Sequence, residues 1–298
     1  MSIEDSADRL RSWLAELSSA TGAELGARLT CLTLLLSPIG DWYIRPVVLC
    51  LSAAGLFFRE FWRSRWLWLA LAVLTNLRAL LDWPLADNHA YLLGYWCIAV
   101  AGATWCDDLP SLSRNARLLI GLTFALAAWQ KWTTANYTND IFFLTTFLLD
   151  PRFEDFIVLF TSLDYDQIDG ARQYLEGDYR LGPPSEALPF ELPLSLVLLA
   201  RASTLWNLFD QALVGAAFLL PPARWPGRVR DALLILFCFV TYAVAPVASF
   251  GWLLLAMGMA QSKGSSSVRV WYLTAFAALV FYNEVPWAGI LVDLLGAE

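Results

Sequence analysis

About nine apolar runs dominate this sequence, and nothing else in it restricts the fold so strongly. They lie at Leu25–Ile39, Tyr43–Phe58, Trp66–Leu81, His89–Trp105 and Ala116–Trp132. After a long interruption come Leu192–Leu220, Asp231–Val247, Phe250–Ala260 and Val268–Val285. A hydrocarbon core about 30 Å thick is crossed by roughly 20 helical residues. The expectation is therefore an all-α fold, a polytopic transmembrane helical bundle of about eight or nine spans. Several runs fall short of a full span, which fits tilted, kinked or partly re-entrant pairs. Composition agrees: of 298 residues, 58% are hydrophobic and only 16% charged, against about a quarter charged in soluble domains. Fifteen Trp and ten Tyr suit rings that gather at headgroup level.

Arginine placement orients the bundle. Arg59, Arg63 and Arg65 follow the second run, Arg114 and Arg117 the fourth, Arg224, Arg228 and Arg230 the sixth, and Lys263 and Arg269 the eighth. The alternate short loops, Ser37–Trp42, Trp83–Asn88 and Ala245–Ser249, contain neither Lys nor Arg. Basic loops stay on the cytoplasmic side, so the expected location is the cell (inner) membrane with a cytoplasmic N-terminus. Residues 1–22 read as an amphipathic helix on that surface, with Ile3, Leu10, Trp13, Leu14 and Leu17 on one face. No cleavable signal peptide is visible. Residues 23–298 read as one transmembrane domain, with an extracytoplasmic segment at about 133–190. Within that segment, Ile141–Leu149 and Phe153–Leu163 are expected as two short interfacial helices, and Asp164–Pro184 as an acidic surface loop.

Several function classes are excluded. There is no basic patch for nucleic acid, no phosphate-binding glycine loop, no H-E-x-x-H and no G-x-S-x-G. The five cysteines lack C-x-x-C spacing and read as buried hydrophobes. The lipid bilayer is the partner this composition implies.

Polar residues at span depth are costly and face a bundle interior or a cavity. Asn76, Arg78 and Asp82 lie close together in the third run, the last two as an i,i+4 pair. Asn207, Asp210 and Gln211 share a face of the sixth, with Arg201 about two and a half turns earlier. Asn283 and Glu284 close the last run. Two roles stay open for these groups: binding helices to one another, or lining a site.

Lys131 is the first lysine of the chain and ends the fifth run, in Trp129-Gln130-Lys131-Trp132. It reads either as an interfacial lysine snorkelling between aromatic anchors or as a desolvated amine able to act as a base. His89, the single histidine, opens the fourth run beside Asn88. It reads either as a helix-start residue or as a partner of Lys131. Both lie at the outer level of consecutive antiparallel runs, where the two can line one cavity.

These residues resemble a known family. Asn88-His89-Ala90-Tyr91-Leu92-Leu93-Gly94 is similar to the N-H-x-Y-L-x-G of the transmembrane part of vitamin K-dependent γ-carboxylase and its bacterial relatives, the HTTM proteins. The run ending Trp129-Gln130-Lys131-Trp132, with Tyr137 after it, resembles the family's lysine segment, and Ser249-Phe250-Gly251 its S-x-G. The resemblance implies a reduced quinone, such as vitamin K hydroquinone, as the cofactor, with Lys131 as the base that deprotonates it and His89 as the second catalytic residue. It also implies a partner, either another protein subunit or a peptide substrate undergoing modification or maturation. The departures are clear. The chain stops soon after its last run, without the carboxylase's luminal region that recruits protein substrate, and Gln130 replaces a lysine. Thr241 and Val244 stand where the carboxylase has a histidine and an asparagine. A non-catalytic membrane subunit or scaffold is the alternative reading.

Overall fold

The computed structural model describes residues 19–37, 41–58, 60–181, 192–221, 226–242, 244–245, 247–262 and 266–296. Most of the expected N-terminal amphipathic helix, and Arg59, Arg224 and Lys263, lie outside the described residues. Each of the nine apolar runs holds one helix. These are α1 (Gly22–Leu36), α2 (Arg45–Phe57), α3 (Arg65–Leu81), α4 (Asn88–Trp105) and α5 (Leu109–Thr133). The stretch between the fifth and sixth runs supplies α6 (Ile141–Leu149), α7 (Glu154–Phe160) and α8 (Tyr165–Leu181). Then follow α9 (Leu194–Leu219), α10 (Gly227–Tyr242), α11 (Ala248–Gln261), α12 (Ser266–Glu284) and α13 (Trp287–Leu295). There is no strand among the described residues.

Among the described residues no single helix is long and apolar enough to cross a membrane. The reason differs from helix to helix. The 25-residue α5 and the 26-residue α9 have the length but carry Arg114, Arg117 and Lys131, and Arg201 and Asp210. The 13-residue α2 and the 14-residue α11 are apolar but short. Residues Ser267–Glu284 and Trp287–Leu295, bent by 55°, meet the length and composition only as a pair.

Local chemistry starts the helices. In α1 the Thr21 hydroxyl accepts from the Glu24 N–H while the Glu24 carboxylate accepts from the Thr21 N–H, a capping box that partners two otherwise orphan donors. The same reciprocal pattern appears at Asp164 and Gln167, and it overturns the expected surface loop. α8 follows it, with Ile168 and Ala171 fully buried. Asp166 and Asp169 are exposed on this helix, while the buried Ile168 and Ala171 recur at helical spacing.

Two cores result. The larger joins α1, α3, α4, α5, α10, α11 and α12 around Trp68, Trp96, Leu255 and Tyr272. The smaller joins α6, α7, α8 and α13 to the start of α9, through Phe147, Ile157, Ile168, Leu196 and Val292. Close packing of α1 on α11 depends on small residues. A methyl at Gly26 would sit 2.6 Å from the Ala260 Cβ and 2.7 Å from the Ala256 carbonyl oxygen. Gly22 repeats this against the Met259 carbonyl, so Gly22-x-x-x-Gly26 is a small-residue seam that the hydrophobic pattern concealed.

Tertiary contacts involve four of the arginines that follow alternate runs, whereas Arg45 and Arg78 lie at the opposite ends of α2 and α3. Arg63 pairs with Glu24 at 2.7 Å, and Arg269 donates to the Ala20 carbonyl. Arg65 lies over the rings of Trp66 and Trp105. Arg117 donates to the carbonyls of Phe218 and Leu220, at 2.6 Å each. That contact supplies donors and positive charge to the C-terminal end of α9, where carbonyls lack helical partners.

Candidate functional site

Lys131 turns inward. Its Nζ donates to the Gln211 Oε1 at 2.8 Å and to the Asn207 Oδ1 at 3.3 Å. The Gln211 amide nitrogen in turn donates to Asn207 Oδ1 at 3.0 Å. Both acceptors come from α9, one turn apart, and both are neutral. The third side of the amine faces the Tyr137 ring, with Nζ 5.6 Å from its centroid, within cation–π range. Tyr137 stacks on Phe142 at 4.2 Å, and Trp132 packs edge-on against Phe209. The amine is thus held by two amide oxygens and faced by one ring, and the snorkelling geometry is not the one adopted.

Arg201 and Asp210 do not join this cluster. Arg201 pairs with Asp140 at 3.1 Å, fastening the segment after α5 to α9. Asp210 is 7% exposed, and its Oδ2 has no hydrogen-bond partner among the described residues. Sequence reasoning put Asn207, Asp210 and Gln211 on one helical face; the fold uses two of them for Lys131 and leaves the carboxylate aside.

His89 belongs to a separate cavity of about 330 Å³ between α1, α3, α4 and α11. Its ring packs near Phe250 at 6.1 Å between centroids, and its Nε2 is 3.7 Å from an Asp87 oxygen. Arg78 and Asp82 form the expected ion pair and line the same cavity. Lys131, which is expected to share a cavity with His89, is not among the residues that line this one. Asn88 is exposed at the start of α4. Asn76 donates to the Ala72 carbonyl, and its amide abuts Gly94 of α4, a helix-to-helix contact. Glu284 is exposed at the end of α12.

A second outer cavity, of about 240 Å³, opens where the two cores meet. Arg152, Asp155 and Trp287 line it from one side, Tyr242 and Asn283 from the other. Arg152 bonds both oxygens of Asp150, and that hydrogen-bonded guanidinium holds the Asp150 carboxyl below the usual carboxylate range.

One polar network escaped the sequence reading. At the basic end, Asp231 accepts from the Tyr272 hydroxyl at 2.9 Å and from the Gln261 amide. All three are buried. Asp231 opens an apolar run, and no partner for it is visible in the sequence; only the meeting of three helices closes it in. Among the described residues no cluster of His, Cys, Asp or Glu is able to hold a metal ion.

The chain matches no protein-family model, no curated protein and no solved structure.

Proposed function

We propose that this chain is a multi-pass protein of the cell membrane, N-terminus inside, whose outer end carries an acid–base site centred on Lys131. The observation that carries the site is the pair of neutral amide acceptors, Asn207 and Gln211, on the Lys131 amine. A lysine held in this way has no hydrogen-bonded carboxylate to neutralise, and desolvation favours the neutral amine that a proton acceptor needs. The Tyr137 ring beside it, stacked on Phe142, suits a flat, lipid-like molecule.

The membrane part of the proposal rests on what the helices turn outward. Leu118, Leu122, Leu126 and Trp129 form an exposed stripe along α5; Leu198, Leu205, Phe209 and Leu213 do so on α9. Soluble monomers rarely expose contiguous apolar surface on this scale. Exposed tryptophans also mark two levels: Trp66 (62% exposed) at the basic end of α3 and Trp83 (70%) just past its other end. Fifteen residues of helix lie between them, roughly 23 Å at 1.5 Å per residue, most of the depth of a hydrocarbon core flanked by aromatic belts. Helices short of a full span then lie within the bundle or thin the bilayer around them.

The family resemblance proposes the substrate class: a reduced quinone, whose hydroxyl proton passes to the Lys131 amine. Peptide modification or maturation with a partner subunit is the biological setting it suggests. The alternative, a non-catalytic scaffold, uses the same cluster as helix-to-helix glue.

A test is titration of the chain in lipid nanodiscs with short-chain ubiquinol and menaquinol, following tryptophan quenching and quinol oxidation. Saturable quenching that is lost in Lys131→Met, with the fold retained, supports the site. A wild-type chain indifferent to both quinols, or a folded Lys131→Met that responds as wild type does, overturns it. Full function in Lys131→Arg favours the scaffold.

A further inference from the structure

The His89 cavity has a composition unlike the Lys131 cluster, and its chemistry is separate from it. Four helices deliver polar groups into one space: Ser37 from α1's end, Thr75 and Arg78 from α3, His89 from α4 and Ser249 from α11. The Arg78–Asp82 pair contributes charges of both signs side by side. Among the described residues Asp82 is the one carboxylate paired with this guanidinium, and Arg has five N–H donors, so unused donors and a second carboxylate oxygen remain beside the cavity.

The helix termini repeat this pairing of signs. α4 and α11 present their N-terminal ends here, and neither cap residue, Asp87 or Val247, bonds an N–H with its side chain. α1 and α3 present C-terminal ends, at Ser37 and Asp82. Partial positive and partial negative poles therefore converge on the same space.

An independent sign of a ligand is Ser37 itself. It is 4% exposed, it lines the cavity, and its hydroxyl has no hydrogen-bond partner among the described residues. A buried hydroxyl without a partner costs about 1–3 kcal/mol, and such a group calls for an explanation, of which a bound molecule is one. A volume of about 330 Å³ lies at the small end of ligand pockets.

We propose that this cavity binds a small zwitterion, a molecule carrying an N–H ammonium close to an anionic oxygen group. The anionic group meets the free edge of Arg78 and the N-terminal ends of α4 and α11. The ammonium meets Asp82, the Ser37 hydroxyl and the C-terminal end of α1. Two sources share this chemistry: a free α-amino acid, and the phosphoethanolamine headgroup of a lipid.

The test uses the full chain in phosphatidylglycerol nanodiscs, with thermal unfolding followed by tryptophan fluorescence. Glycine, alanine and serine are titrated, with ethanolamine and propionate as single-charge probes. The expected result is a saturable rise in midpoint with the amino acids that neither single-charge probe produces. Ser37→Ala weakens that response about tenfold, the loss of one hydrogen bond to a charged group. Ser249→Leu, which fills the cavity without touching the ion pair, removes it. In phosphatidylethanolamine nanodiscs a higher starting midpoint, absent in Ser249→Leu and insensitive to added amino acid, identifies the headgroup as the source. No saturable response to amino acid or to phosphatidylethanolamine overturns the proposal. So does an equal response to ethanolamine or propionate, or full binding in a folded Ser249→Leu.

Discussion

The Lys131 ammonium sits 2.8 Å from the Gln211 side-chain oxygen, across 80 positions of sequence. This bond ties the outer end of α5 to the middle of α9, on helices that already pack closely along their length. Its consequence is an asymmetry between the two partners. Lys131→Met leaves Gln211 and Asn207 bonded to each other, so its cost is about 1 kcal/mol. Gln211→Leu strips a buried ammonium of its nearest acceptor and costs about 1.5–3 kcal/mol. Unfolding midpoints in detergent give the order; the reverse order would mean that Lys131 reaches out to headgroups after all.

Gly26→Ala is expected to destabilise the fold by about 1–3 kcal/mol, the usual penalty of overpacking. The added methyl meets both the Ala260 side chain and the Ala256 carbonyl. Adding Ala260→Gly relieves only the first contact, so the double variant recovers part of the loss. Full recovery would place the whole strain on the Ala260 methyl.

Cys106 and Cys50 are both exposed, but the membrane reading assigns them different surroundings. Cys106 follows α4 at the basic end, and Cys50 faces outward from the middle of α2. In variants retaining one cysteine each, a membrane-impermeant maleimide should label Cys106 only from the cytoplasmic side and Cys50 from neither side. Labelling of Cys106 in intact cells inverts the topology; rapid labelling of Cys50 removes the lipid belt.

Asp150, bonded by Arg152, has a carboxyl pKa below its ordinary range. Its contribution to stability is present above the unfolded carboxylate pKa and disappears as the pH falls through the lowered folded value. The pair is partly exposed, so solvent screening keeps the effect small. Resistance of the α6–α7 segment to pepsin is therefore expected to differ between wild type and Arg152→Gln at the upper end of the protease's range. The gap should close as the pH is lowered. A constant gap would assign the effect to packing of the Arg152 side chain.

Local patterns carried much of this structure. The nine apolar runs each hold a helix because a stretch of apolar residues buries little unless its backbone is hydrogen-bonded within itself. The Arg78–Asp82 pair was legible for the same reason: i and i+4 are neighbours on any helix. α8 departs from the loop that its acidic and glycine residues predict, because the Asp164–Gln167 box starts a helix and Ile168 and Ala171 bury one face of it.

The candidate site was legible as residue types and illegible as an arrangement. Lys131 stood out, as did Asn207, Asp210 and Gln211, yet helical spacing gives a face and does not say which helix that face meets. Whether Lys131 snorkels or turns inward depends on α9 lying against α5, a contact between segments separated by the whole outer module. The same limit applies to His89, whose neighbours Ser249 and Phe250 come from α11, a helix more than 140 positions away in sequence. The sequence alone determined the helices and which helix ends carry arginine, since backbone hydrogen bonding and charge are local. Tertiary structure alone decided which polar groups meet, because a long-range contact is set by how helix surfaces interlock, and small residues such as Gly26 decide that without leaving a hydrophobic signal.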